Sequence, residues 1–222
     1  MRERMRVCGA AVAAWLALAG VAHAQSQGAP SRGYVEAVGQ SSFGSVTSQS
    51  FGGEIGIAIG SQLQIFAEGG KTRDVSTSAL SAAAQTIAGA ISQVAANSGY
   101  SVKEPVTFFD AGLRFSFYPS GGGKLDPYVL VGFGVASVTQ DVKFTVAGND
   151  VTGSLEQAPY FTALGSDVSG SFTKPMLVVG GGVAYPVWKR LVLDFQLRYG
   201  RVFAPDQGIN IGRAGLGLGV RF

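Results

Sequence analysis

The chain has 222 residues, of which 33 are glycine and only 14% are charged, with a formal net charge of +3. A water-soluble domain ordinarily carries about 25% charged residues, so the composition points away from an ordinary soluble globule. Its sole cysteine, Cys8, and its sole histidine, His23, both fall within the first 24 residues.

Those 24 residues have the three parts of a secretory signal: Arg2, Arg4 and Arg6, an apolar run from about Val7 to Val21, and Ala22-His23-Ala24 as a small-x-small cleavage site before Gln25. The apolar run is shorter than the ~20 residues a spanning helix needs. Residues 1–24 are therefore expected to be a cleaved signal, and residues 25–222 the folded domain. Cys8 lies ahead of the apolar run, which argues against a lipid-anchored lipoprotein. Cleavage removes three Arg and one Glu, so 17 basic and 14 acidic residues become 14 and 13, and no electrostatic case for a nucleic-acid partner remains. It also removes every thiol and imidazole, which excludes disulfides, His-based metal sites and Cys-His or Ser-His machinery. No catalytic residue, cofactor or metal is expected.

Beyond the signal, glycines, charges or polar residues interrupt every apolar stretch within a dozen positions, too short for a spanning helix. Period-two alternation instead predicts eight strands, at about 32–40, 50–60, 62–72, 105–118, 127–140, 173–186, 189–202 and 210–222. In the second, Phe51, Ile55, Ile57 and Ile59 oppose Glu54; in the third, Leu63 and Ile65 oppose Gln64 and Glu68. In the fourth, Leu113, Phe115 and Phe117 oppose Asp110 and Arg114; in the seventh, Leu191, Leu193, Phe195, Leu197 and Tyr199 oppose Arg190, Asp194, Gln196 and Arg198. The eighth sets Ala214, Leu216, Leu218, Val220 and Phe222 against Arg213, Gly215, Gly217, Gly219 and Arg221. On this reading no charge sits on an apolar face, as lipid contact requires when an exposed Arg or Lys near the midplane costs roughly 2–4 kcal/mol.

A soluble lipocalin-like barrel or sandwich also alternates, and the other face separates the two. In the fifth, sixth and eighth strands it is largely Gly132, Gly134 and Ala136, then Gly180, Gly182 and Ala184, then Gly215, Gly217 and Gly219. A water-facing surface has no need of such small residues, whereas the crowded lumen of an eight-stranded barrel does. The expected fold is thus an all-β, eight-stranded antiparallel up-and-down transmembrane barrel. The expected external connections, at about 41–49, 73–104, 141–172 and 203–209, are mostly longer than the alternate turns at 60–61, 119–126 and 186–188. Tyr34, Tyr118, Tyr128, Tyr185 and Trp188 cluster near strand ends on the short-turn side, as an aromatic girdle would.

Within 77–98, Leu80, Ala84, Ile87, Ile91, Val94 and Ala95 recur at helical spacing, predicting an amphipathic helix that packs on its own loop in preference to capping the barrel or meeting a partner. Residues 144–172 hold Phe144, Tyr160, Phe161 and Phe172 among Gly, Ser and Thr, which fits a mobile or a partner-binding loop equally. Loops 73–104 and 141–172 are the candidate contacts for an external ligand, host or envelope partner.

The inward set holds Glu36, Glu54, Glu68, Asp110 and Asp194 against Arg114, Arg190, Arg198, Arg213 and Arg221. An isolated buried charge costs several kcal/mol, so these groups should pair into a salt-bridged plug. Paired carboxylates can also perform acid–base chemistry, but each acid here has an arginine available. Gly121-Gly122-Gly123-Lys124 lacks phosphate-loop spacing and is followed by Leu125, and Gly180 to Gly182 opens no helix.

The signal, the eight strands, the long external loops and the closing run Gly215-Leu216-Gly217-Leu218-Gly219-Val220-Arg221-Phe222 resemble the small outer-membrane barrel proteins of Gram-negative bacteria, the OmpA/OmpX-like group. The resemblance implies localisation in the cell outer membrane after export through the periplasm, contact with outer-membrane lipid, and no enzymatic activity. It implies that Leu218, Val220 and Phe222 form the terminal signal read by the barrel-assembly machinery, although the group often has an aromatic where Val220 stands. The sequence stops at the eighth strand, so the periplasmic peptidoglycan-binding domain of full-length OmpA proteins is expected to be absent. The expected role is a filled scaffold whose loops act in surface interaction or envelope integrity; the alternative is a narrow porin-like channel or hydrophobic-solute conduit similar to OmpW.

Overall fold

The computed structural model describes residues 32–118, 125–153, 170–204 and 208–222. Eight strands form the barrel: β1 (Gly33–Phe43), β2 (Ser48–Ala58), β3 (Leu63–Thr72), β5 (Val106–Ser116), β6 (Asp126–Val146), β8 (Gly170–Pro186), β9 (Leu191–Val202) and β10 (Ile209–Arg221). Each pairs antiparallel with its neighbours in chain order, and β10 returns to β1 through a ladder from Tyr34↔Arg221 to Phe43↔Gly212, which closes the sheet. A residue row followed round from Glu36 through Glu54, Glu68, Asp110, Gly134, Met176, Val202 and Ile209 comes back to β1 beyond Phe43. That stagger is the shear a closed, tilted barrel must have.

Closure gives the period-two pattern its meaning. Ile57, Ile65, Phe109, Leu113, Val131, Phe133, Phe195, Leu197, Leu216 and Leu218 are all exposed and together form an apolar outer belt, while the alternate residues are buried in the lumen. The belt is not wholly free of charge. Lys71 and Arg201 share the outward parity, at the long-loop ends of β3 and β9. Both sit beyond the apolar stretch of their strand, where the charge is clear of the midplane.

The expected girdle divides in two. Tyr118, Tyr185 and Trp188 are exposed at the short-turn end, but Tyr34 and Tyr128 are buried and point into the lumen. Their even numbers put them in phase with Glu36 and Gly132, and proximity to a strand end does not alter that parity. Each ring occupies space left by a glycine: a Cβ on Gly56 would lie 2.1 Å from the Tyr34 ring, and one on Gly182 would lie 2.6 Å from the Tyr128 hydroxyl.

The barrel continues into a small platform at the long-loop end. Helix α1 (Ser78–Ser92) starts at Thr77, whose hydroxyl accepts the Leu80 backbone N–H at 3.3 Å, a standard N-cap. β4 (Ser98–Lys103) pairs with the protruding half of β6, and β7 (Asn149–Asp150) adds a further rung. Leu80, Ala84, Ile87, Ala88 and Ile91 bury against Val142 and Phe144, so the helix packs on its own loop sheet. Val94, assigned by spacing to the apolar face, is 85% exposed because the helix has already ended at Ser92. Phe144 is buried under α1, Phe172 packs against the lumen core, and Tyr160 and Phe161 lie outside the described residues.

Candidate functional site

The lumen is built from two unlike walls. Register sets Glu36 beside Glu54, Glu54 beside Glu68, and Glu68 beside Asp110, so β1, β2, β3 and β5 carry an unbroken lateral row of carboxylates. Cross-strand neighbours stand roughly 5 Å apart at Cβ, a spacing at which like charges destabilise the sheet unless cations intervene. The cations come largely from the facing wall, where Arg198 on β9 lies laterally beside Arg213 on β10.

Arg198 crosses the barrel and donates to both Glu54 and Glu68, the latter at 2.6 Å. Arg213 donates to both oxygens of Glu68, at 2.9 and 3.0 Å. Arg114 lies 3.4 Å from Asp194 and 3.7 Å from Glu54, and its guanidinium sits 3.4 Å above the Tyr128 ring centroid, an arrangement that adds cation–π attraction. The Tyr128 hydroxyl donates to Asp194 at 2.9 Å and the Tyr34 hydroxyl donates to Glu54. Gln196 donates its amide to Glu36 and also accepts from Gln40 at 3.2 Å.

All eight sequence-predicted charged residues, Glu36, Glu54, Glu68, Asp110, Arg114, Asp194, Arg198 and Arg213, are buried, none more than 3% exposed. The five-to-five balance does not hold inside the sealed section. Arg221 instead pairs with Asp126 at 2.9 Å near the short-turn mouth, and Asp126 is outside the expected set. Arg190 is half-buried at the same end. Five carboxylates thus face three guanidinia, whose ion pairs reach Glu54, Glu68 and Asp194. Neither oxygen of Asp110 meets a protein donor among the described residues.

Alternation did not reveal that the lumen changes character with height. Towards the long-loop end Val106, Phe108, Val138, Met176, Val178, Val202, Ile209 and Ile211 form a buried apolar layer above the charges. These residues have inward parity on strands whose outward face is also apolar, so both faces read alike. The signal was present in the phase: Val106 and Phe108 are in step with Asp110, and Ile209 and Ile211 with Arg213.

A polar clasp joins the platform to the barrel rim. One Asp74 oxygen accepts the backbone N–H groups of Ser76 and Glu104, each at 2.9 Å. Glu104 is itself buried and accepts the Thr77 N–H at 2.8 Å and the Gln140 amide at 3.2 Å. Further out, the Thr152 hydroxyl and backbone N–H donate to Asp150 at 2.6 and 2.9 Å and hold its carboxyl below the ordinary aspartate range.

The residues expected to form the terminal assembly signal lie along the seam. Leu218 faces outward beside Ala37, and Val220 lies beside Val35. The Phe222 carbonyl accepts from Arg32 and Gly33 at 2.7 and 3.0 Å, and its N–H donates to the Gly33 carbonyl at 2.9 Å.

A family model for the outer membrane protein beta-barrel domain matches residues 10–222. Among solved structures, Neisserial surface protein A is similar at 16% identity and a TM-score of 0.54, over 88% of this chain and all of that one. A major outer membrane protein from Thermus thermophilus gives 13% and 0.51, over 86% and 99%. The N-terminal β-barrel domain of Pseudomonas aeruginosa OprF gives 18% and 0.50, over 87% and 100%. At such identities these likenesses speak to the fold, and no curated protein matches the sequence. With the closed barrel, its apolar belt and a family match over nearly its whole length, the chain belongs to the outer membrane protein beta-barrel domain family and is an integral outer-membrane barrel with surface loops.

Proposed function

We propose that the protein is a non-enzymatic outer-membrane scaffold: a filled, non-conducting barrel that presents its external loops for surface interaction or envelope integrity. The observation that carries this reading is the pairing of Arg198 with Glu54 and Glu68 on the opposite wall, which puts a side chain straight across the passage. Two features support it. The void lined by Tyr34, Glu36, Arg114 and Asp194 measures about 10 Å³, room for about one water. The apolar layer above the charges offers a permeating ion few polar partners, chiefly the Ser50 and Thr72 hydroxyls in register with Val106, and desolvating an ion there costs several kcal/mol.

The loop role draws support from the platform. α1 is fixed to its own sheet and clasped to the rim, and residues 75–102 contain no charged side chain, so a preformed neutral surface stands above the barrel. Surrounding outer-membrane lipid is the partner of the apolar belt. Residues 1–24 act as the export signal, cleaved before Gln25. Leu218, Val220 and Phe222 serve the barrel-assembly machinery, whose recognition of this end would precede closure of the seam. Paired carboxylates without histidine or cysteine favour a structural use of the lumen charges over hydrolysis.

Single-channel recording in planar bilayers tests the scaffold reading. The expected result is no steady conductance; a steady conductance altered by Arg114→Ala or Asp194→Ala overturns it. Pull-down from intact cells with versions lacking 77–98 or 144–172 tests the loop role, which fails if both deletions retain every surface partner of the parent.

A further inference from the structure

The short-turn mouth of the lumen is lined differently from the sealed section above it. Among the described residues, the charged side chains at the outermost inward positions of this end are Arg32 just before β1, Arg190 just before β9, Arg221 at the end of β10 and Asp126 at the start of β6. The ladder extends to the two arginines that lie outside the strands. Arg32 donates its N–H to the Phe222 carbonyl at 2.7 Å and its own carbonyl accepts the Ala58 N–H at 2.8 Å, while the Arg190 carbonyl accepts the Arg221 N–H at 2.8 Å. Arg32 is therefore in phase with Tyr34 and Glu36, and Arg190 with Asp194, which puts both on the lumen side of the wall and not on the lipid side.

This mouth is electropositive. Arg190 and Arg221 are lateral neighbours, a spacing of roughly 5 Å at which like charges destabilise a sheet. Asp126 pairs with Arg221 at 2.9 Å, and one carboxylate against three guanidinia leaves the ring with two positive charges in excess. Tyr34 lies beside Arg221 and one inward step deeper than Arg32, and Glu36 is a step deeper again. The Arg114 guanidinium lies 4.8 Å from the Tyr34 ring centroid and 3.4 Å from that of Tyr128, so a Tyr–Arg–Tyr stack floors the basin and adds its own charge to the positive side.

Guanidinium forks match carboxylates, to which they donate two parallel N–H bonds. Short turns of outer-membrane barrels face the periplasm, so the basin opens toward that compartment. Because its arginines face the barrel axis, they address a group that arrives from below the mouth in preference to the headgroups around it. Directly below lies the peptidoglycan, whose peptide stems end in free carboxylates. We propose that the short-turn mouth is a docking site for those stem carboxylates, with Arg32 and Arg190 as the recognising cations and Arg221 held in place by Asp126. The site deepens the envelope-integrity part of the scaffold reading and rests on it, but a silent bilayer together with unbound peptidoglycan would sink the site and leave the scaffold standing.

Co-sedimentation of the detergent-solubilised full protein with purified peptidoglycan sacculi tests this. The parent should pellet with the sacculi, be released by added salt, and stay in solution when the sacculus carboxylates have been amidated. Arg32→Gln with Arg190→Gln should bind about 10-fold more weakly. Lys71→Gln with Arg73→Gln removes the same charge from the long-loop end and should change nothing. Band-shift on unboiled gels verifies folding of each variant, and Arg32→Gln alone, with about a 3-fold loss, decides the matter if the double variant fails to fold. Failure of the parent to pellet, equal retention by amidated sacculi, undiminished binding by the arginine variants, or an equal loss with the Lys71 and Arg73 pair overturns the proposal. So does a preference of the parent for phosphatidylglycerol over phosphatidylcholine in native mass spectrometry that vanishes with Arg32→Gln and Arg190→Gln, which would assign these cations to inner-leaflet lipid.

Discussion

Arg198→Met is the most informative single change in this barrel. The substitution keeps the unbranched stem and removes the guanidinium from between Glu54 and Glu68, its two acceptors. Those carboxylates are lateral neighbours on β2 and β3, and Glu36 lies on the other side of Glu54. Unit charges roughly 5 Å apart repel by about 3 kcal/mol at an effective dielectric of 20. Arg114, 3.7 Å from Glu54, and Arg213 on Glu68 remain, so part of that repulsion stays compensated. Removing one partner of a buried pair typically costs 3–5 kcal/mol, and we expect a loss of about that size.

Trp188, the one tryptophan outside the first 24 residues, is exposed in the turn before β9 and provides a fluorescence signal for urea unfolding from phospholipid vesicles. The parent, Arg198→Met, and Arg198→Met with Glu54→Gln make the necessary series. A glutamine at 54 still accepts from the Tyr34 hydroxyl but no longer repels Glu36 and Glu68, so the second change should recover about 2 kcal/mol or more. A loss below about 1 kcal/mol for Arg198→Met, or no recovery in the double variant, would refute the view that the acid row needs this arginine.

Three further outcomes follow from the same geometry. Asp110→Asn removes a like charge beside Glu68 from a carboxylate that meets no protein donor among the described residues, so it should be neutral or stabilising in the same assay, whereas Asp194→Asn, which weakens the Arg114 and Tyr128 contacts, should lose about 1–3 kcal/mol. Ile87→Ala cuts into the α1–β6 core and should cost the platform about 2–4 kcal/mol, seen as faster amide exchange in 78–92 with the barrel amides unchanged. Asp150 should titrate by NMR below the ordinary aspartate value, and Thr152→Ala should raise it. Because the folded value is depressed, the contribution of this turn is present above the unfolded aspartate pKa and is lost as pH falls through the depressed one.

Much of this molecule was legible because a barrel in lipid turns period-two alternation into a binary code. Seven of the eight strands fall within three residues of their expected bounds, since lipid outside and a crowded lumen inside penalise a one-residue slip, while β6 runs six residues past its expected end to Val146, where β4 and not the barrel pairs with it. The helix was legible from Leu80, Ala84, Ile87 and Ile91, and its end was not, because Val94 continues the spacing after Ser92 has closed the last turn. What alternation cannot encode is which strand faces which across the lumen. Counting inward residues gives five acids and five bases, but only register separates Arg221, at the mouth with Asp126, from Arg198 and Arg213 inside. The same blindness assigned Tyr34 and Tyr128 to a girdle that their own parity denied.

Register also explains why the acids could gather on one wall. A lateral row of four carboxylates is tolerable only if long cations reach it from opposite, and long side chains need a wall opposite that takes up little room. Gly180 and Gly217 supply that room: a Cβ on the first would lie 3.1 Å from the Arg198 stem, and one on the second would lie 3.1 Å from both the Glu36 carboxyl carbon and the Gln196 amide. Glycine beside the crossing side chains and charge at their ends are therefore two halves of one packing solution. Arg198→Met tests the cationic half. Gly180→Ala tests the spatial half: a Cβ there would approach the Leu197 carbonyl to 2.6 Å and the Arg198 Cα and Cγ to 3.1 Å, so we expect about 1–3 kcal/mol of destabilisation from overpacking, measured by the same urea titration, and the cost should persist in the Arg198→Met background because methionine keeps both of those atoms. A cost that vanishes in the Arg198→Met background would mean that the glycine answers to the far end of the arginine and not to the neighbouring backbone, and would refute this account of the packing.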